Sequence, residues 1–231
     1  SKYYKVGDLY VVNGEPLGLV YEISDGGAHG KVVALKAHRD LNLWYRTGLP
    51  YDEIHPEDPN NVGVIARSET DGQENMKAYK QIPDWKTHYP VAAYVSDLND
   101  ENGNPGWYLP AIKEVQAMVG WIDGEVLSPD GEAGQEPSEA MKEKRKAINQ
   151  LIVDNGGNEF YFYGYDVSFI IDQTNAWEAD YFNRIYTSTE TDYQVHPMVF
   201  KFYLRNGWWE TMHVYGDLAG SYGEVRPFLA F

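Results

Sequence analysis

The sequence predicts an α+β fold built on a mixed, antiparallel sheet. Three observations carry that expectation. The first 38 residues are β-rich and divided by glycine turns. The middle holds amphipathic runs with helix-start signals, and the last 70 or so residues return to β-type alternation. Strands, then helices, then strands give a segregated α+β order rather than a βαβ alternation.

The elements follow in turn. "YKVGDLYVVNGEPLGLVYEI" contains two β-rich runs split by Asn13-Gly14, a strong two-residue hairpin signal. Gly26-Gly27 closes the second run, and residues 30–38, "GKVVALKAH", read as a third strand. Residues 51–61 are acidic and proline-bearing and read as a loop. A short helix is expected over 71–82. A longer one is expected over 89–99, with Pro90 in its first turn and Val91, Tyr94, Val95 and Leu98 on one face.

Pro110 opens a further helix with a stripe of Ile112, Val115, Met118 and Val119, leaving Lys113, Glu114 and Gln116 towards water. Residues 128–139 are linker-like. Ser138 then caps a helix running to about residue 153, which "NGG" stops. "EFYFYGYDVSFII" reads as one or two strands, and "HPMVFKFYLRNGWWETMHVYGD" as a hairpin about Asn206-Gly207.

The chain closes on "GEVRPFLAF", apolar to its last residue. Most ends are polar and frayed, so Val225 and Phe228 need cover. Pairing with the first strand, where Val6, Leu9 and Val11 also need cover, would supply it. Pro227 offers no N–H and belongs at an unpaired edge or a bulge.

Composition bounds the chemistry. The 231 residues are 43% hydrophobic, enough for a real core, and 15% aromatic, with 19 Tyr and 7 Trp. The net charge of −16 opposes nucleic acid and anionic membrane as partners. No run of about 18 apolar residues exists to span a bilayer. The absence of cysteine excludes thiol catalysis, disulfides and cysteine-ligated zinc. A start at Ser1 rather than Met fits a trimmed leading segment.

Taken together, several segments resemble one family. They are "YKVGDLY", "HGKVVAL", "DGQENM", "YPVAAYVSDLN", "GWYLPAIKEV", "INQLIVDNGGNEF", "YTSTET" and "GEVRPFLAF", in that order. The family is the bacterial C-type-lectin-like domain of Bacteroidales surface proteins. It is related to the variable proteins of diversity-generating retroelements and to the C-terminal domain of the Legionella collagen-like adhesin. The formylglycine-generating enzyme is more distant, and its chemistry needs cysteines this chain lacks. Thr187 stands where the family has Trp, and residues 161–185 are longer than the pattern.

The resemblance implies one C-type-lectin-like domain over 1–231, with insertions around 121–137 and 161–185. It implies N- and C-terminal strands paired in one sheet, flanked by two main helices. It places an exposed, ligand-contacting face over 186–222. It also implies a secreted or cell-surface module, non-enzymatic, that recognises a glycan or a protein, with no cofactor. The alternatives are a structural or assembly domain of a surface lipoprotein or fimbrial protein and, third, a carbohydrate-active enzyme.

Within that face the candidate ligand-binding residues are Trp208, Trp209, His213, Tyr215, Asp217 and Tyr222, with Asp192 and Tyr193. Aromatic rings give large contact area at low entropic cost and stack on sugars. Metal readings are weaker. His29, His38 and Asp40 fit a turn and a strand end as well as a site. Asp52, Glu53, His55, Glu57 and Asp58 carry calcium-type donors in what reads as a solvated loop. The Glu-Pro-Asn and Trp-Asn-Asp pattern of calcium-dependent sugar binding is missing. Glu190 and Asp192 are too close in sequence to suggest two carboxylates across a cleft. No nucleophile elbow or glycine-rich phosphate loop occurs. The Ser-Thr-Glu motif and Glu114 read as scaffold.

Overall fold

The computed structural model describes residues 2–39, 66–101, 103, 105–124, 138–162, 171, 178, 182–190, 197–202, 207–211 and 223–231, with 197–202 and 207–211 as backbone. The chain runs β1 (Leu9–Val12), β2 (Glu15–Ser24), β3 (His29–Ala34), α1 (Gly72–Tyr79), α2 (Trp85–His88) and α3 (Pro90–Glu101). It continues α4 (Ile112–Asp123), α5 (Glu139–Asp154), β4 (Arg184–Glu190), β5 (Pro197–Phe202), β6 (Gly207–Thr211) and β7 (Phe228–Ala230). The α+β order is the one the sequence predicts.

Local signals explain most of these boundaries. Asn13 (φ 51°) and Gly14 (φ 80°) turn β1 into β2, as an Asn-Gly hairpin requires. The Asp71 carboxylate caps α1 by accepting from the Gln73 and Glu74 N–H groups, and Ser138 caps α5 by accepting from Met141. Pro90 stands at the first position of α3. The stripe predicted on α4 is buried, together with Ile122.

A four-stranded antiparallel sheet has the order β1-β2-β3-β7, and a three-stranded sheet the order β4-β5-β6. Strands β5 and β6 pair as the hairpin expected in this stretch, but the turn does not fall at Asn206-Gly207: Phe202 lies opposite Gly207, which is already the first residue of β6. The two sheets are stitched where Tyr186 N–H donates to Glu224 O (3.0 Å) and Glu224 N–H to Arg184 O (2.8 Å). A core of Val20, Val32, Leu109, Val115, Met118 and Phe228 lies between the first sheet and the helices.

The apolar C-terminus gets its cover from a different strand than expected. Strand β7 pairs with β3 (Val32 opposite Leu229), not with β1, which lies at the far edge of the sheet. The meander β1-β2-β3 uses both edges of β2 and leaves β3 open, so β3 is the available partner. On its other side β7 meets Tyr108, which exchanges two backbone hydrogen bonds with Phe228 at 2.9 Å each. Head and tail still touch: the Phe231 ring lies 5.1 Å from both Tyr4 and Tyr10. Pro227 immediately precedes β7, where its missing N–H costs nothing, and its carbonyl accepts from Ala34 N–H (2.9 Å).

Three other expectations are corrected. Glu114 does not face water; it is buried on α4. Tyr186 to Glu190 do not belong to an exposed face, because β4 is buried along those positions. Glu159 to Phe162 are buried but form no strand. The Asn149 carboxamide takes over the role of a neighbouring strand there. It accepts from Phe160 N–H (2.8 Å) and donates to Phe160 O (3.0 Å).

Candidate functional site

The "GWYLP" stretch distributes its residues to different tasks. Trp107 faces a cavity, Tyr108 reaches Glu114, Leu109 enters the core, and the Pro110 carbonyl accepts from the Ser188 N–H (2.7 Å) and hydroxyl (3.2 Å). Asn99, in the last turn of α3, fixes the Trp107 backbone from both sides. Its Oδ1 accepts from Trp107 N–H (2.7 Å) and Gly106 N–H (3.2 Å), and its Nδ2 donates to Trp107 O (2.9 Å).

That cavity, of about 370 Å³, lies at the turn end of the first sheet. Its apolar wall comes from Pro16, Leu17, Leu98, Trp107 and Pro227, and its polar lining includes Asn13, Glu15, Lys36 and Asn155. The volume falls in the range of small-ligand sites, as does an apolar wall with a few polar groups. Trp107 is only 8% exposed, so it serves as wall rather than as a free-standing platform.

Charged groups buried around the site are occupied with structure. Glu114 Oε1 accepts from Gly72 N–H (2.7 Å) and Ala111 N–H (3.0 Å); Oε2 accepts from Tyr108 OH (2.5 Å) and lies 3.0 Å from Lys31 Nζ. Gly72 permits this approach, since a Cβ there would sit 2.4 Å from Leu109 O. Burial, then the Glu114 charge and hydrogen bond, hold the Tyr108 phenol well above its ordinary pKa. Thr189 completes the knot: its Oγ1 accepts from Ile112 N–H (3.0 Å) and donates to Ser68 O (2.8 Å).

A second knot forms where β7 begins. Arg226, fully buried, donates to Glu224 Oε1 (2.8 Å), Ala34 O (3.1 Å), Leu35 O (3.0 Å) and Asn158 O (2.7 Å). Burial pushes its pKa down, and Glu224 opposes that. Arg39 Nε also reaches Glu224 (3.2 Å) and its guanidinium lies over the Tyr161 ring (4.0 Å). A third knot is the buried two-point pair of Arg145 with Asp123, at 2.9 and 2.7 Å.

Of the residues singled out in the sequence, Trp208 and Trp209 are neighbours on β6, in register with Lys201 and Phe200. His213, Tyr215, Asp217, Tyr222, Asp192 and Tyr193 lie outside the described residues, as do Asp40 and the acidic loop Asp52, Glu53, His55, Glu57 and Asp58. His29 is the exposed first residue of β3, 3.9 Å from Asp25, and His38 stacks on Tyr94 at 4.4 Å. Among the described residues no group of three His, Asp or Glu side chains could hold a metal ion, and no helix is long and apolar enough to cross a membrane.

The cavity is a site that sequence reasoning missed. Its lining comes from six separated stretches of chain, and only the Trp of "GWYLP" is a local signal. Glu15 is the one carboxylate lining it among the described residues, so the paired carboxylates of glycoside hydrolysis are not brought together there. Compared with protein-family models, with curated proteins and with solved structures, the chain matched nothing.

Proposed function

We propose that this chain is a non-enzymatic binding module of C-type-lectin-like type, displayed at a bacterial surface or secreted, whose ligand is a glycan or a protein. The observation that carries the reading is the cavity walled by Trp107, which is held in place before any ligand arrives by the Asn99 clasp. A preformed wall spares the ligand the cost of ordering it. The occupation of Glu114, Asp123 and Glu224 by scaffold contacts supports binding over catalysis. In this reading Trp208, Trp209, His213, Tyr215, Asp217, Tyr222, Asp192 and Tyr193 supply a further contact face on the same molecule.

The test is to present the chain to arrays of glycans and of surface proteins, and to incubate it with any oligosaccharide it retains. Retention without cleavage is the expected outcome. Release of new reducing ends, or no retained ligand on either array, contradicts the proposal.

A further inference from the structure

The cavity also narrows the chemistry of what it holds, and this step rests on the binding-module reading above. We infer that the cavity takes a single apolar side chain, aromatic or branched aliphatic, presented by the main chain of a protein ligand. Sugar recognition by an aromatic residue uses an open ring face on which the pyranose lies. Trp107 offers no such face at 8% exposure, and the residues beside it, Pro16, Leu17, Leu98 and Pro227, are aliphatic. Such a wall gains from removing apolar area from water and gives nothing to a hydroxyl.

The lining also carries polar side chains, among them Asn13, Glu15, Lys36 and Asn155. The side chains of Glu15 and Lys36 are exposed and have no hydrogen-bond or ion-pair partner among the described residues, so one carboxylate and one ammonium remain to meet a guest. A peptide supplies complements to both around one side chain, in its N–H and C=O groups and in neighbouring charges. Their backbone is fixed on either side. The hairpin turn at Asn13-Gly14 precedes Glu15, and Lys36 lies between Leu35, whose N–H donates to Leu17 O (3.0 Å), and Ala37, whose N–H donates to Asn158 Oδ1 (2.9 Å). A rim of this kind selects for how the side chain is presented as well as for its bulk.

The experiment is a nitrogen-proton correlation titration of the full chain with four small probes. They are N-acetyl-phenylalaninamide, N-acetyl-leucinamide, N-acetyl-glycinamide and methyl β-galactoside. The phenylalanine and leucine amides are expected to shift the Leu35, Lys36 and Trp107 amides, the Trp107 indole N–H and the Asn99 side chain. Saturation is expected at about 1–10 mM, as suits fragments of this size. The glycine amide, which has the main chain without the side chain, and the galactoside are expected to leave those signals in place. Movement with the galactoside, or equal movement with the glycine amide, overturns the side-chain assignment while leaving a binding cavity. No movement with any of the four overturns this inference and removes the observation behind the proposed function as well.

Discussion

Asn99 and Trp107 are joined by two opposed hydrogen bonds, one to the Trp107 carbonyl at 2.9 Å and one from its N–H at 2.7 Å. One carboxamide on the end of α3 thus does for this segment what a neighbouring strand would do. The segment that follows can then pair with β7 through Tyr108 while Trp107 stays against the cavity. Asn99→Ala leaves two part-buried backbone groups unsatisfied and should cost about 2 kcal/mol in denaturant unfolding. Asn99→Asp retains the acceptor and should cost less. Equal losses for the two variants would show that the acceptor half of the clasp is unimportant.

Glu114 is the residue on which α1, α4, β3 and the Tyr108 segment converge. Glu114→Ala strands two backbone N–H groups, a phenol and the Lys31 ammonium around one buried void. About 3–5 kcal/mol should be lost, the scale for breaking a buried charged contact from one side. Glu114→Gln keeps an acceptor for Gly72 and Ala111 and should unfold between wild type and Glu114→Ala. Urea unfolding of the three proteins tests the order.

Arg226 makes its contacts through the planar fork of the guanidinium, which a lysine cannot copy. Arg226→Lys should leave Ala34, Leu35 or Asn158 carbonyls without donors and Glu224 poorly matched. We expect a loss of about 3 kcal/mol and a lower thermal midpoint. Wild-type stability in Arg226→Lys would mean that charge alone holds β7 to the end of β3.

Alkaline pH should weaken the fold through its tyrosines. Burial pushes the Tyr161 phenol up to about 12, with Arg39 opposing and Glu178, Glu159 and Glu224 adding to the rise. A folded pKa above the unfolded value of about 10 means that the unfolded chain gives up this proton first. The contribution is complete below about pH 10 and disappears as pH rises towards 12. Tyr108, Tyr79 and Tyr21 are pushed up by burial as well and act in the same direction. Stability measured from pH 9 to 12 should fall, and should fall less steeply in Tyr161→Phe.

Much of the local architecture was legible because its causes are local. Ser138, Pro90 and Asn13-Gly14 each satisfy or relieve backbone groups within a few residues, and each marked an element that the structure contains. The errors share a different cause. Glu114 looked solvated because its local partners Ala111 and Tyr108 do not by themselves bury it; the cover also comes from Gly72, 42 positions away in the chain. Strand β7 was matched with β1 because both need cover, but the free edge belonged to β3. Residues 159–162 alternate like a strand, yet Asn149 satisfies Phe160 from a helix. The cavity combines six stretches that no single window of sequence unites. Apolar pattern tells which residues need cover; which neighbour gives it is decided by the packing of the whole chain.

The central claim is that a ligand is held against a wall already formed in the free protein. Amide hydrogen exchange on the full chain, with and without a ligand retained on the arrays, tests it most directly. Slower exchange is expected at residues 35–36 and 106–107 on binding, with the Asp123–Arg145 region of α4 and α5 unchanged. Unaltered exchange at 35–36 and 106–107 in the presence of saturating ligand would contradict it.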